Sequence, residues 1–207
     1  MNKTKHQTIY LKNLIFFSKK FKKYKPVIFY GTLLGIVREN SIIKNDDDID
    51  LLVDYRFKKK ILNDIKKEKI FKINEKISDK YFVQIFFRVD KIMIFIDLYF
   101  YTNNKNNNFI VDRHNFFGNI YNKNFFLHIP KKLFFPIKRN IKFKSIYMPN
   151  KDLALCKFLY GKDWNIPLKK NANYKMKIIK NKPFIVKKNI LSYFAKNIKV
   201  SVKSLFN

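Results

Sequence analysis

A chain of 207 residues with 23 phenylalanines and 47% hydrophobic residues can fill the core of one domain, with or without a tail, and is not a disordered polymer. Its single cysteine, Cys156, excludes an internal disulfide or a cysteine-built zinc site, and His6, His114 and His128 are too scattered for a histidine metal cluster. The net charge of +30 is almost all lysine and rises with asparagine, isoleucine, phenylalanine and tyrosine, all residues of AT-rich codons, so it argues only weakly for a nucleic-acid partner.

Tyr10, Leu14, Phe17 and Phe21 recur at helical spacing and predict an amphipathic helix over about 7–24, ended by Pro26. No long apolar run follows the early lysines, so no signal peptide is expected. Val27 to Tyr30 reads as a short strand running into Gly31, and Thr32 to Arg38 as a short helix. An acid-bearing strand over 47–53 follows, then a helix marked by Phe57, Ile61 and Ile65. Tyr81 to Arg88 and Ile92 to Tyr101 predict an antiparallel hairpin turning at Val89-Asp90-Lys91. This is the most apolar stretch, but Arg88, Asp90, Lys91 and Asp97 forbid it from spanning a bilayer. Asn103 to Asn108 reads as a polar loop or an edge insertion. Asn150 is placed to cap a helix over 151–160, with Gly161 as its stop. Residues 169–207 are expected as a lysine-rich helical tail after a catalytic unit of residues 1–168.

The chemistry is concentrated in residues 29–54. Period-2 alternation puts Asp46, Asp48 and Asp50 on one strand face, and Ile49, Leu51 and Val53 on the other. Like charges stacked this way repel unless cations sit among them, and hard carboxylate oxygens suit Mg²⁺ or Mn²⁺ rather than zinc. Asp97, an acid within Ile-Met-Ile-Phe-Ile-Asp-Leu-Tyr-Phe, is costly to bury without a partner and completes the set. The expected metal ligands are Asp48, Asp50 and Asp97, with Asp46 as a further candidate. Gly31 and Thr32 offer close backbone approach, a hydroxyl and a helix start to a diphosphate, which Arg38 is placed to grip bidentately. These residues alone reach metal-dependent phosphoryl or nucleotidyl transfer.

The run Gly-Thr-Leu-Leu-Gly-Ile-Val-Arg followed by Ile-Ile-Lys-Asn-Asp-Asp-Asp-Ile-Asp resembles the signature of the LicD-type phosphotransferases and fukutin-related proteins. Phe95-Ile-Asp-Leu-Tyr99 resembles that family's later aspartate strand. Leu133 to Lys138 with Ile146-Tyr-Met-Pro149 resembles its β segment, and Leu159-Tyr-Gly-Lys-Asp-Trp164 its tyrosine-glycine motif. Lys44-Asn45 departs from the family's Pro-Trp, which touches the substrate pocket's wall rather than the acids. The resemblance implies an α+β fold of the DNA polymerase β-like nucleotidyltransferase type, a small mixed sheet flanked by helices. It also implies transfer of a phosphorylated alcohol from a CDP-linked donor, such as CDP-choline, to a sugar hydroxyl of a cell-surface glycan such as lipopolysaccharide. Asp48, Asp50 and Asp97 would be catalytic, Gly31, Thr32 and Arg38 would bind the donor, and CMP would leave. A cytoplasmic protein, with or without peripheral contact to an anionic membrane, is the matching location.

Two rival readings remain at this point. A nucleotidyltransferase adding NMP from an NTP to a small molecule or RNA end would use the same acids. A basic nucleic-acid- or membrane-binding module with a degenerate site would use the charge instead, but the intact acids disfavour it. A metal-dependent glycosyltransferase needs a nucleotide-binding α/β unit before its Asp-x-Asp, for which too short a stretch precedes Asp48.

Overall fold

The computed structural model describes residues 4–114, 126–168, 178 and 184–185. It opens with α1 (Lys5–Lys20), whose Tyr10, Leu14 and Phe17 return on one face and are buried. Thr4 caps this helix. Its hydroxyl accepts from the Gln7 N–H at 3.2 Å, and the Gln7 side-chain oxygen accepts from the Thr4 N–H at 3.0 Å. That reciprocal box starts the helix before the apolar periodicity does, and a 3-10 turn at Lys22–Tyr24 closes it.

A short strand β1 (Val27–Ile28) leads into α2 (Tyr30–Glu39) and then β2 (Asp48–Asp54). Tyr30, expected to end the strand, instead opens the helix with φ at 39°, a left-handed conformation costing a non-glycine residue on the order of 1 kcal/mol. Two contacts hold it there: its hydroxyl donates to Asp112 Oδ2 at 2.6 Å, and its ring packs edge-on to Tyr99 at 4.9 Å. After α3 (Lys58–Lys67) come β3 (Lys72–Ile73) and the predicted hairpin of β4 (Phe82–Val89) and β5 (Ile92–Asn103). The remaining elements are β6 (Phe109–Asp112), β7 (Phe126–Pro130), α4 (Lys131–Phe134), β8 (Lys138–Arg139), β9 (Tyr147–Met148), α5 (Asp152–Tyr160) and β10 (Phe184–Ile185).

One mixed sheet runs β10-β7-β6-β5-β2-β1-β9-β8, with β4 also on β5 and β3 on β4. The β2/β5 and β1/β9 pairs are parallel and the rest antiparallel. The architecture is therefore α+β, a mixed sheet flanked by helices. Ile49, Leu51 and Val53 of β2 lie in register with Ile96, Leu98 and Phe100 of β5, all fully buried. Behind this face Phe71 meets Phe17, Phe21 and Phe87, and Ile61 and Ile65 of α3 join the same core. Burying each such side chain stabilises the fold by about 1.5–3 kcal/mol. The opposite face is covered by α2, with α5 against it, and carries the acids.

Three expectations need correction. Asn150 does not cap α5: its amide donates to the Phe135 carbonyl at 3.1 Å, and Lys151 takes the cap position without a side-chain bond. The β segment expected from Leu133 opens as a helical turn through Phe134, with strand at Lys138–Arg139 and, as expected, at Tyr147–Met148. In the expected helical tail, Ile178 is helical and buried, but Phe184–Ile185 form the outermost strand, antiparallel to β7. The rest of that tail lies outside the described residues. Among the described residues, no helix is long and apolar enough to cross a membrane.

Candidate active site

The parallel register sets Asp50 beside Asp97 and Asp48 beside Phe95. Paired residues project from the same face, so the two strands bring three acids from two distant segments together. Carboxylate oxygens of Asp48, Asp50 and Asp97 lie within 4.8 Å of one another, and so do those of Asp46, Asp47 and Asp48. Asp47 also lies with the acids, because β2 begins only at Asp48. Before it the chain is an irregular turn through Asn45 (φ 62°), where period 2 does not apply.

Gly31 and Thr32 meet these acids directly. A Cβ on Gly31 would stand 2.8 Å from Asp46 Oδ2 and 3.2 Å from Asp50 Oδ2, so only glycine leaves room for both. Thr32 is fully buried, and its hydroxyl accepts from the Asp50 N–H at 2.8 Å. Its own N–H points back to Asp50 Oδ2 at 3.4 Å. The acceptor at the start of α2 is therefore Asp50 itself, and Thr32 holds that aspartate from both its backbone and its side chain.

Burial acts first on every carboxylate of the set. It pushes Asp50 well above the usual carboxylate range, with Asp48, Asp46 and Asp97 adding repulsion and the Thr32 N–H partly offsetting it. Burial, then Asp48 and Asp47, lift Asp46 to about 8. Asp48 rises to about 6 through burial and then Asp47. Asp97 rises to about 7 through burial and then Asp48, with a hydrogen bond from Gln84 working the other way.

Gln84 was not singled out in the sequence. It is the β4 partner of Asp97 and donates from Nε2 to Asp97 Oδ1 at 2.9 Å. Asn74 fixes that amide's orientation by donating to Gln84 Oε1 at 2.9 Å. The available signal was a lone amide within a β-rich apolar run. Gln84, Asp47, Asp48 and Phe95 line an open cleft of about 200 Å³.

Arg38 stands at the opposite end of α2 from Gly31 and Thr32. It sits in the last turn of α2, six residues and about 9 Å along the axis from Thr32. Its side chain is nearly buried, Nε donates to Glu39 Oε1 at 2.9 Å, and its charge acts on Cys156 of α5. The guanidinium is thus engaged by the neighbouring Glu39 carboxylate.

A divalent cation fits this donor set. The oxygens are hard, they converge, and the buried Asp46 Oδ2 has no hydrogen-bond partner. Carboxylates crowded and buried to this degree call for positive charge. Fold and site together are those of an α+β protein in which carboxylates from neighbouring strands converge as a candidate cation site. The chain belongs to the LicD/FKTN/FKRP family, nucleotidyltransferase domain, whose sequence model matches residues 24–151. That family is generally metal-dependent, and its activity is of phosphotransferase type on glycans. The match takes in Gly31, the whole acid set and Gln84. No curated protein matches the chain.

Proposed function

We propose that the protein transfers a phosphorylated alcohol from a CDP-linked donor to a sugar hydroxyl of a glycan, on a polymerase β-like nucleotidyltransferase framework. The observation that carries this reading is the convergence of Asp48, Asp50 and Asp97, joined by the unpartnered Asp46 oxygen beside the Cβ-free Gly31. Asp48, Asp50 and Asp97, with Asp46 adjacent, would hold Mg²⁺ or Mn²⁺. Such ions neutralise phosphate charge and align an in-line displacement when bound.

The chain's own residues supply the remainder. Gly31 leaves the space in which the donor diphosphate approaches the acids. Thr32 locks the Asp50 backbone, and Gln84 orients Asp97. Asp97, raised to about 7, accepts the proton of the attacking hydroxyl. The new O–P bond forms as the bond to the CMP oxygen breaks, and CMP leaves with the electron pair. All these residues fall within residues 1–168, which we take as the catalytic unit, with 169–207 appended to it. A cytoplasmic site of action, with peripheral contact to a membrane carrying the acceptor, suits such an enzyme.

The test is the identity of the nucleotide product. The protein is incubated with CDP-choline, CDP-ribitol, CDP-glycerol, CDP-ethanolamine, CTP or ATP, with and without Mg²⁺. Release of CMP from one CDP-alcohol, dependent on Mg²⁺ and abolished in Asp50→Asn, is expected. Pyrophosphate from a nucleoside triphosphate would replace this reading with NMP transfer.

A further inference from the structure

Beyond the acids, the site face of the sheet continues into two phenylalanines that the core does not require. Asp48 pairs with Phe95, Phe95 with Phe86, and Phe86 with Lys72, so one row crosses β2, β5, β4 and β3. The next row is Asp50, Asp97 and Gln84. At about 4.8 Å per strand, Phe95 stands about 5 Å from Asp48 along the row and Phe86 about 10 Å. The alternate residues Ile85 and Phe87 are buried in the core, whereas Phe86 and Phe95 are only half-buried. Their rings lie 6.3 Å apart at 42°, and Phe95 lines the cleft with Asp47, Asp48 and Gln84. The exposed cations Lys72 and Arg88 project from the same face. An open sheet face is normally polar, so two neighbouring rings beside an acid cluster point to a ligand.

We propose that Phe86 and Phe95 form the platform on which a sugar ring of the acceptor stacks. This rests on the transfer reading above. An in-line displacement needs the attacking hydroxyl and the leaving group on opposite sides of the phosphorus. Gly31 and α2 flank the acids on one side, and β5 and β4 flank them on the other. Asp97, the acid assigned to the attacking hydroxyl, is on the β5 side, in the row next to the rings. A sugar presents an apolar C–H face to an aromatic ring and hydroxyls at its rim, where Gln84, Arg88 and Lys72 supply donors. A ring lying on Phe95 holds its hydroxyls within reach of Asp97 and the transferring phosphorus.

The test uses the full chain, the CDP-alcohol that it hydrolyses, and methyl glycosides of glucose, galactose and N-acetylgalactosamine. Phe86→Ala is expected to raise the glycoside KM about tenfold, while acceptor-independent CMP release and the donor KM stay unchanged. Phe86→Trp restores the glycoside KM. A raised donor KM with the glycoside KM unchanged would make the platform a base-stacking surface and overturn the proposal, as would no change in either. If the wild type releases no CMP from any donor, the transfer reading fails. Saturation-transfer NMR of the same glycosides then decides the platform alone. Sugar C–H signals on the wild type that vanish in Phe86→Ala support it, and equal or absent signals overturn it.

Discussion

Replacing Thr32 by valine exchanges a hydroxyl for a methyl of the same shape at a position with no exposure. No cavity opens, so the perturbation reduces to one lost acceptor. The Asp50 N–H, held at 2.8 Å by that hydroxyl, is left buried and unpaired. Such a loss costs about 1–3 kcal/mol. In a chain of this size each kcal/mol lowers Tm by about 2–4 °C, so a drop of about 2–12 °C is expected by calorimetry. Because Asp50 is the most enclosed of the acids, Mn²⁺ affinity should fall with it. Thr32→Ser keeps the acceptor and removes only a methyl, so it should lose about 1 kcal/mol and retain the metal. A Thr32→Val protein with unchanged Tm and metal affinity would refute the positioning role. If the donor KM rose instead, the hydroxyl would be a diphosphate ligand, as its place after Gly31 suggests from sequence.

The two glycines of α2 separate site from fold. Gly31→Ala presses on the carboxylate oxygens of Asp46 and Asp50, so metal affinity should fall at least tenfold. Gly35→Ala drives a Cβ to 2.6 Å from the Ser41 carbonyl and 2.8 Å from the Ile43 nitrogen, both backbone, and should cost about 2–3 kcal/mol in denaturant unfolding. Arg38→Ala breaks a partly buried ion pair with Glu39 and should lower Tm while leaving the donor KM unchanged in the CMP assay. Asp46, Asp48 and Asp97 keep their protons to about 8, 6 and 7 in the fold, against an ordinary 3.8. The unfolded chain releases these protons first, so stability present below about pH 4 is lost as pH rises towards 8. Asp112, raised to about 7 by burial, acts in the same direction but away from the cluster. Tm measured in EDTA should therefore fall across that window, and Mg²⁺ should restore most of the loss near pH 8. A flat Tm in EDTA would contradict the crowding of the acids.

The parts of the fold that could be read in advance are those written in apolar period. The β4/β5 hairpin, α3 and the body of α1 each show a clear alternation or helical repeat, and they form where expected. The acid triad was legible for a different reason: Asp97 lies in an otherwise apolar strand, where a charge needs a compensating partner. Position within the site was less legible because it depends on register. Only the parallel pairing of β2 with β5 puts Asp50 beside Asp97, and only the β4 pairing delivers Gln84 to it. Thr32 and Arg38 share a ten-residue helix with Gly31, but the first bonds to Asp50 and the second, in the last turn, pairs with Glu39. The short strands β6 to β10 have too few residues to show a period, and pairing with neighbours defines them.

The central claim, that these aspartates form a cation site, can be tested without knowing donor or acceptor. The measurement is Mn²⁺ binding followed by electron paramagnetic resonance, comparing the wild type with Asp50→Asn and Asp97→Asn near neutral pH. The account predicts saturable binding to the wild type, weakened at least tenfold in each variant and displaced by Mg²⁺. Absent binding, or equal binding in all three proteins, would contradict it.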